Sequence, residues 1–405
     1  MKITEELLND SYLTDAYRAS CNLLKQLSTE DGFIASAENK ANYKRIWSRD
    51  GVIAGLASLL TDDEELINSF KLTLNTLKRF QDHTGRIASN IDVATNEVSF
   101  GTTVGRIDAT LWYVIGVCQY RLKTSDEVFW SEFKPSVDRA LFYLECLELN
   151  GRGLIHIPPG GDWADEYINH GYVLFDQMLY FIANQLYGQI DNDEEKLKKS
   201  QYLANLIRVN YFPKSENLDN PFVYHQAIFK QALKEYQPPI PVTYFTSHSV
   251  RYHLDNFANS LLLLADLLDP ADEKMIADVL NNLISDSNQP ILPAFHPVIT
   301  EGDPFWPRLL NNYLYQFKNE PYHFHNGGRW PLVHGFFLSA LDKEGLKGLL
   351  DLAKVLKRDN FIFPEYYIGN TGKPAGTLGL SFSASGFIIA YQAVLNKRLP
   401  FSLKI

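Results

Sequence analysis

The chain is poor in the residues that would announce several common kinds of chemistry. Its three cysteines, Cys21, Cys118 and Cys146, form no C-x-x-C pair, and each lies in an apolar helical pattern. They read as reduced core residues rather than a disulfide framework or a thiolate metal site. No run of 18 apolar residues occurs, so no membrane span is expected. The opening MKITEELLND lacks the apolar core of a secretory signal, and a reduced, cytoplasmic setting is the expectation. Positive charge is the minority: 38 Lys and Arg stand against 48 Asp and Glu, a net −10. That sign argues against nucleic acid and anionic membranes as partners and fits a neutral or cationic ligand. No Gly-rich phosphate loop of the Walker type is present. His248 and His253 are five apart, and a metal would need a third ligand. No metal and no cofactor is expected.

What the chain has in quantity is apolar and aromatic side chains, 45% and 13% of its residues. Most of them recur with helical period. The pattern predicts twelve helices, at about 12–28, 50–60, 63–82, 107–123, 134–149, 172–188, 195–209, 255–268, 271–285, 331–341, 344–358 and 380–396. Residues 210–250 and 287–330 read as long irregular stretches. No low-complexity linker divides residues 1–405, which predicts a single domain.

The helices alternate in character. The even-numbered ones, such as GVIAGLASLL, ATLWYVIGV and SFSASGFIIAYQAV, are apolar nearly all round. The odd-numbered ones, such as DEELINSFKLTLNTLKRF and DKEGLKGLLDLAKVLK, carry a charged stripe. A helix apolar on every side must be buried, and one with a charged stripe faces water. Six such alternations predict an all-α, (α/α)6 barrel of two concentric rings. An open α-solenoid would leave its inner helices less apolar.

Unusual polar and aromatic residues cluster just before each inner helix: IWSRD at 46–50, GRID at 105–108, GDWADE at 161–166, HSVRYHLDN at 248–256, FHNGGRW at 324–330 and PEYYIGNTGKPAG at 364–376. In a closed double ring these six loops must meet at one mouth. Trp47, Trp163, Trp330, Tyr366 and Tyr367 suit stacking on sugar faces. Arg49 and Asp50 suit binding of vicinal hydroxyls, while Asp50 and Asp108 could instead be helix N-caps. Asp165 sits between Asp162 and Glu166, whose like charges should raise its pKa. Glu365 stands alone among apolar and aromatic neighbours. Two carboxyls with pKa values pushed apart are what glycoside hydrolysis requires. A solvated acidic turn and a strand-end acid are the plainer readings of the two sites.

These motifs resemble those of the six-hairpin glycosidases: glucoamylases, glycogen-debranching α-1,6-glucosidases and neutral/alkaline invertases. W-S-R-D at 47–50 resembles the glucoamylase W-T-R-D. H-N-G-G-R-W-P at 325–331 and P-E-Y-Y at 364–367 resemble invertase motifs, and Glu365 keeps the glucoamylase E-x5-T-G spacing. The resemblance runs from about residue 30 to 395. It implies Glu365 as general base and Asp165 as general acid, with Asp162 and Glu166 as alternatives because glucoamylases place Glu directly after the Trp. It further implies sugar contacts by Trp47, Arg49, Asp50, Arg106, Asp108, Trp163, Glu166, His325, Asn326, Arg329, Trp330, Tyr366 and Tyr367. The expected activity is inverting, exo-acting hydrolysis of a small α-glucoside or α-1,6/α-1,4-gluco-oligosaccharide. Sucrose cleavage is the alternative. A sugar phosphorylase, a sugar epimerase using His248, His253 and His325, and a non-catalytic sugar-binding protein are the rivals. Nothing in the sequence marks an oligomer interface.

Overall fold

The computed structural model describes residues 11–403, apart from 39–41, 102, 236–239, 286–288 and 314. The opening MKITEELLND lies outside the described residues, as do parts of the two irregular stretches.

All twelve expected helices are present. They are α1 (Ser11–Gln26), α2 (Ser48–Thr61), α3 (Glu64–Arg79), α4 (Ile107–Thr124), α5 (Glu127–Glu145), α6 (Leu174–Asp191), α7 (Glu194–Tyr211), α9 (Asn256–Leu264), α10 (Pro270–Ser285), α12 (Pro331–Ala340), α13 (Leu346–Arg358) and α14 (Ser381–Asn396). Two short helices, α8 (Gln226–Glu235) and α11 (Trp306–Leu310), fall inside the stretches expected to be irregular. Helix α5 begins about two turns before its expected start. Pro135 lies inside the helix, which starts at the side-chain cap of Asp126.

The inner helices α2, α4, α6, α9, α12 and α14 each pack on the next, and α14 returns to α2, so the ring is closed. Closure settles barrel against solenoid. Helix α2 buries every residue from Val52 to Leu60, and α4 every residue from Ile107 to Tyr120. The outer helices α3, α5, α7, α10 and α13 pack on the ring, and α1 fills the last gap against α13 and α14. Helices α12 and α14 cross so closely that a Cβ on Gly335 would lie 2.1 Å from the Gly386 carbonyl oxygen. Glycine at both positions is what allows that approach.

The two ends of the barrel are finished differently. At the far end α2, α4 and α6 stop at left-handed residues, Asp62, Ser125 and Asn192. The next residue in each case, Asp63, Asp126 or Asp193, caps the following outer helix through its side chain. At the mouth, only α9 has a side-chain N-cap of its own, from Asp255. In four of the others the first helical N–H donates to a neighbouring loop: Ser48 to the Ser89 carbonyl, Ile107 to Gly161, Leu174 to Thr243 and Ser381 to Ala35; α12 starts at Pro331, which has no N–H. Ladders of two or three residues complete this stitching, among them Ile46–Trp47 on Asn90–Asp92 and Tyr366–Tyr367 on Pro374–Ala375. The loops at the mouth are therefore bonded to one another rather than to their own helices alone.

Candidate active site

Glu365 leaves the Tyr366–Tyr367 strand with its side chain buried. Tyr43 Oη donates to its Oε1 at 2.6 Å, and the Thr377 N–H donates to its Oε2 at 3.1 Å. Burial raises its pKa above the usual carboxylate value, opposed by those two hydrogen bonds; the charge of Asp165 adds to the rise. Burial and the same carboxylate push the Tyr43 hydroxyl well above its ordinary value, so it remains a donor. The backbone must turn tightly to bring Thr377 to this acid. Gly376 has φ +77°, and a Cβ there would lie 2.4 Å from Glu365 Oε2.

Asp165 belongs to the turn before α6. Arg106 Nη2 donates to its Oδ2 at 2.5 Å, while Arg106 Nη1 is held by the Gly160 carbonyl. Burial pushes the Asp165 pKa up, but the charges of Arg106, Arg49 and Lys318 outweigh it and leave the carboxyl below its ordinary value. The expected upward shift from Asp162 and Glu166 is thus overturned: the cations facing the loop dominate the acids within it. The raised groups are its neighbours. Asp162 is pushed up to about 8 by burial, with Asp255 and Asp108 adding to it. Glu166 is raised by burial, and its Oε2 has no hydrogen-bond partner among the described residues.

Arg49 and Asp108 form an ion pair at 2.7 Å on adjacent inner helices. Asp50 is pushed up to about 6 by burial, against the charge of Arg49. Neither aspartate is an N-cap: the capping positions are Trp47 and Arg106, and neither helix has a side-chain cap. Trp47 is half-buried, stacked on Tyr43 at 6.0 Å, and donates from Nε1 to the Asn42 carbonyl. His325 is buried beside Asp165, and its pKa falls to about 3 through burial.

The other expected sugar contacts are committed to the framework. Asn326 uses its amide on the backbone of Ile299 and Asn319. Arg329 donates to the carbonyls of Gly369 and Ile291 at 3.1 and 2.5 Å. Trp163 is buried among Phe257, Phe295 and Trp330 and donates to Asp255 Oδ2 at 3.1 Å. Trp330 lies between the rings of His325 and Tyr366. Tyr367 is buried, with its backbone paired to Arg329. Of the three histidines considered for epimerase chemistry, His248 is exposed on a turn, whereas His253 packs against Phe305 and His325 lies beside Asp165.

The sequence pattern missed Tyr43, Lys318 and Asn319, which carry no motif. It also passed over Asp176 and took Asp255 only as part of HSVRYHLDN, although a signal existed. Asp50, Asp108, Asp176 and Asp255 all stand at or within the first turn of an inner helix. Asp176 is fully buried, and neither carboxylate oxygen has a hydrogen-bond partner among the described residues. Burial, then Asp162 and Asp108, raise its pKa well above the usual range. Among the described residues no three His, Cys, Asp or Glu side chains are arranged to hold a metal ion.

No family model matches the chain. It is 22% identical to a probable alkaline/neutral invertase F of Arabidopsis thaliana, over 93% of this chain and 87% of that protein. It is 23% identical to cytosolic invertase 1 of Oryza sativa subsp. japonica, over 90% of this chain and 74% of that protein. A glycosidase variant superposes with TM-score 0.64 at 14% identity, covering 96% of this chain and 98% of the other. A bacterial glucoamylase complexed with acarbose superposes with TM-score 0.63 at 15% identity, covering 95% of this chain and 56% of the glucoamylase. The chain has the (α/α)6 fold of the six-hairpin glycosidases and, along most of its length, is similar in sequence to the alkaline/neutral invertases.

Proposed function

We propose that this protein is an inverting, exo-acting glycoside hydrolase of a small α-glucoside, with Glu365 as general base and Asp165 as general acid. The observation that carries this is the approach of two carboxyls from distant loops, close enough that the charge of Asp165 adds to the upward shift of Glu365. Glu365, with a raised pKa and two donors fixing its oxygens, suits deprotonation of a water. Arg49, Asp50, Asp108 and the open face of Trp47 suit the sugar before the scissile bond. An inverting pair stands about 6.5–9.5 Å apart to leave room for the water. Sucrose is itself an α-glucoside, so the invertase relatives and the glucoamylase-like motifs agree on it as the first substrate to try. A cytoplasmic setting fits the unpaired cysteines Cys21, Cys118 and Cys146 and the relative named a cytosolic invertase, although other relatives are named chloroplastic or mitochondrial.

Proton NMR of the protein with sucrose, maltose, isomaltose, trehalose and glucosylglycerate tests this. Early release of β-glucose from one of them is expected. Cleavage that requires phosphate would replace hydrolysis by phosphorolysis, and binding without turnover would leave a sugar-binding protein.

One observation favours a second choice of acid. Arg106 lowers the Asp165 carboxyl, whereas Glu166 is raised and its Oε2 has no partner among the described residues. A substrate with a good leaving group needs little acid catalysis. Whichever of Asp165→Asn and Glu166→Gln keeps activity on α-glucosyl fluoride while losing it on the natural linkage marks the acid.

A further inference from the structure

The two stretches expected to be irregular go to different places. Around 209–229, Val209, Val223 and Phe229 form a small apolar cluster apart from the main core. Arg308, Asn312 and Asn319 instead lie along the acid loop. Arg308 Nη2 meets the His170 ring at 2.8 Å, Asn312 donates to the Tyr167 carbonyl, and Asn319 Nδ2 donates to the Glu166 carbonyl at 2.8 Å. Asn319 Oδ1 also accepts from the N–H groups of His325 and Asn326, at 3.1 and 3.2 Å. One side chain thus ties this ledge to both the acid loop and the HNGG loop. In a hydrolase, the half of the substrate beyond the scissile oxygen must lie on the acid's side, because the acid protonates that oxygen.

The ledge has two features suited to that half. Trp306, Tyr313 and Phe317 form a ring cluster, Trp306 edge-on to Phe317 at 5.8 Å and Tyr313 5.6 Å from Phe317. Tyr313 is 43% exposed, so part of this aromatic surface is open to water. Next to it stands Lys318, with Nζ 3.6 Å from Glu166 Oε1 and 46% of its side chain exposed. Arg49 and Arg106 are far less exposed and are already held by Asp108 and Asp165. Lys318 Nζ also stands 5.0 Å from the centre of the Phe324 ring, between the acid loop and the HNGG loop.

On the hydrolase reading above, we infer that the ledge carrying Trp306, Tyr313, Phe317 and Lys318 is the leaving-group subsite. A second sugar ring lies on its aromatic faces, and Lys318 donates to that sugar's hydroxyls. Apolar ring faces with a few placed polar groups are the usual makeup of such a pocket. The ledge, not the glucosyl subsite, then selects among α-glucosides.

The test compares two substrates, a disaccharide that the protein hydrolyses and α-glucosyl fluoride, whose leaving group cannot reach the ledge. The ratio of their kcat/KM values is measured for wild type, Phe317→Ala and Lys318→Met. A fall of tenfold or more in that ratio in both variants, with the loss in KM for the disaccharide, is the expected result. A ratio within twofold of wild type in both would overturn the subsite while leaving the hydrolase intact. Should Phe317→Ala fail to fold, Tyr313→Ala at its 43% exposed site takes its place, because a loss in kcat alone in Lys318→Met would report a perturbed Glu166 and not the subsite. If wild type cleaves neither substrate, the hydrolase reading falls and the subsite with it.

Discussion

Replacing Tyr43 by Phe removes one hydrogen bond and little else, because the ring that stacks on Trp47 remains. The bond is short, 2.6 Å from Tyr43 Oη to Glu365 Oε1, and its acceptor is a buried carboxylate. Hydrogen bonds to charged groups contribute about 1.5–3 kcal/mol. One pKa unit corresponds to about 1.4 kcal/mol, so losing the bond should raise the Glu365 pKa by about 1–2 units. The bond favours the ionised form, so its loss leaves Glu365 protonated over a wider range. If Glu365 is the base, the acid limb of the kcat/KM–pH profile moves up by about 1–2 units. Activity is then lost at low pH and recovered at higher pH. The assay is kcat/KM between pH 4 and 9 for both proteins, with thermal unfolding as a check on folding. A limb that does not move, with activity lower by the same factor at every pH, would refute the electrostatic role of Tyr43. Movement of the alkaline limb instead would make Glu365 the acid and reverse the roles proposed here.

Four further outcomes follow from the same geometry. Glu365→Gln should lower kcat by at least about 10³-fold with an unchanged circular dichroism spectrum; full activity would end the assignment. Gly376→Ala puts a Cβ against Glu365 Oε2 at a left-handed φ, so it should cost about 1–3 kcal/mol in urea unfolding and lower kcat, and a neutral result would show that the turn can shift. Asp176 has a raised pKa in the folded protein, so the stability associated with it is full below about pH 4 and is lost as pH rises, by at most about 1.4 kcal/mol per unit. Asp176→Asn should therefore become stabilising toward neutral pH, and a pH-independent difference would contradict the shift. His334 is buried and lowered to about 3, so its stability is full above about pH 6.5 and is lost as pH falls, by about 2 kcal/mol between pH 6.5 and 5; His334→Leu should remove that slope.

The barrel is written in the chain because burial leaves an unmistakable mark. An inner helix such as Ile107–Thr124 has protein on every side and can tolerate almost no polar face. Its outer partner Glu127–Glu145 keeps one. That contrast fixes two rings, and the far-end turns reinforce it locally, since Asp63, Asp126 and Asp193 cap the helices they precede. The closing motifs W-S-R-D, G-D-W-A-D-E and P-E-Y-Y are legible for a related reason: aromatic and charged residues crowd where apolar helices begin. Residue type alone, however, does not say what a side chain is bonded to. Asn326 and Arg329 look like sugar ligands in the sequence, yet their polar atoms hold backbone carbonyls and amides. Tyr43 and Lys318 look ordinary, yet one fixes Glu365 and the other lies over the acid loop.

By itself the sequence determined the helices, their alternation and the loops that carry the carboxylates, because hydrophobic period and capping are local properties. Only the tertiary structure decided the electrostatic state of those carboxylates. Asp165 is flanked in the chain by two acids but is governed in space by Arg106, Arg49 and Lys318, from three other loops. A Coulomb interaction depends on distance and solvent access, and both are set when the ring closes.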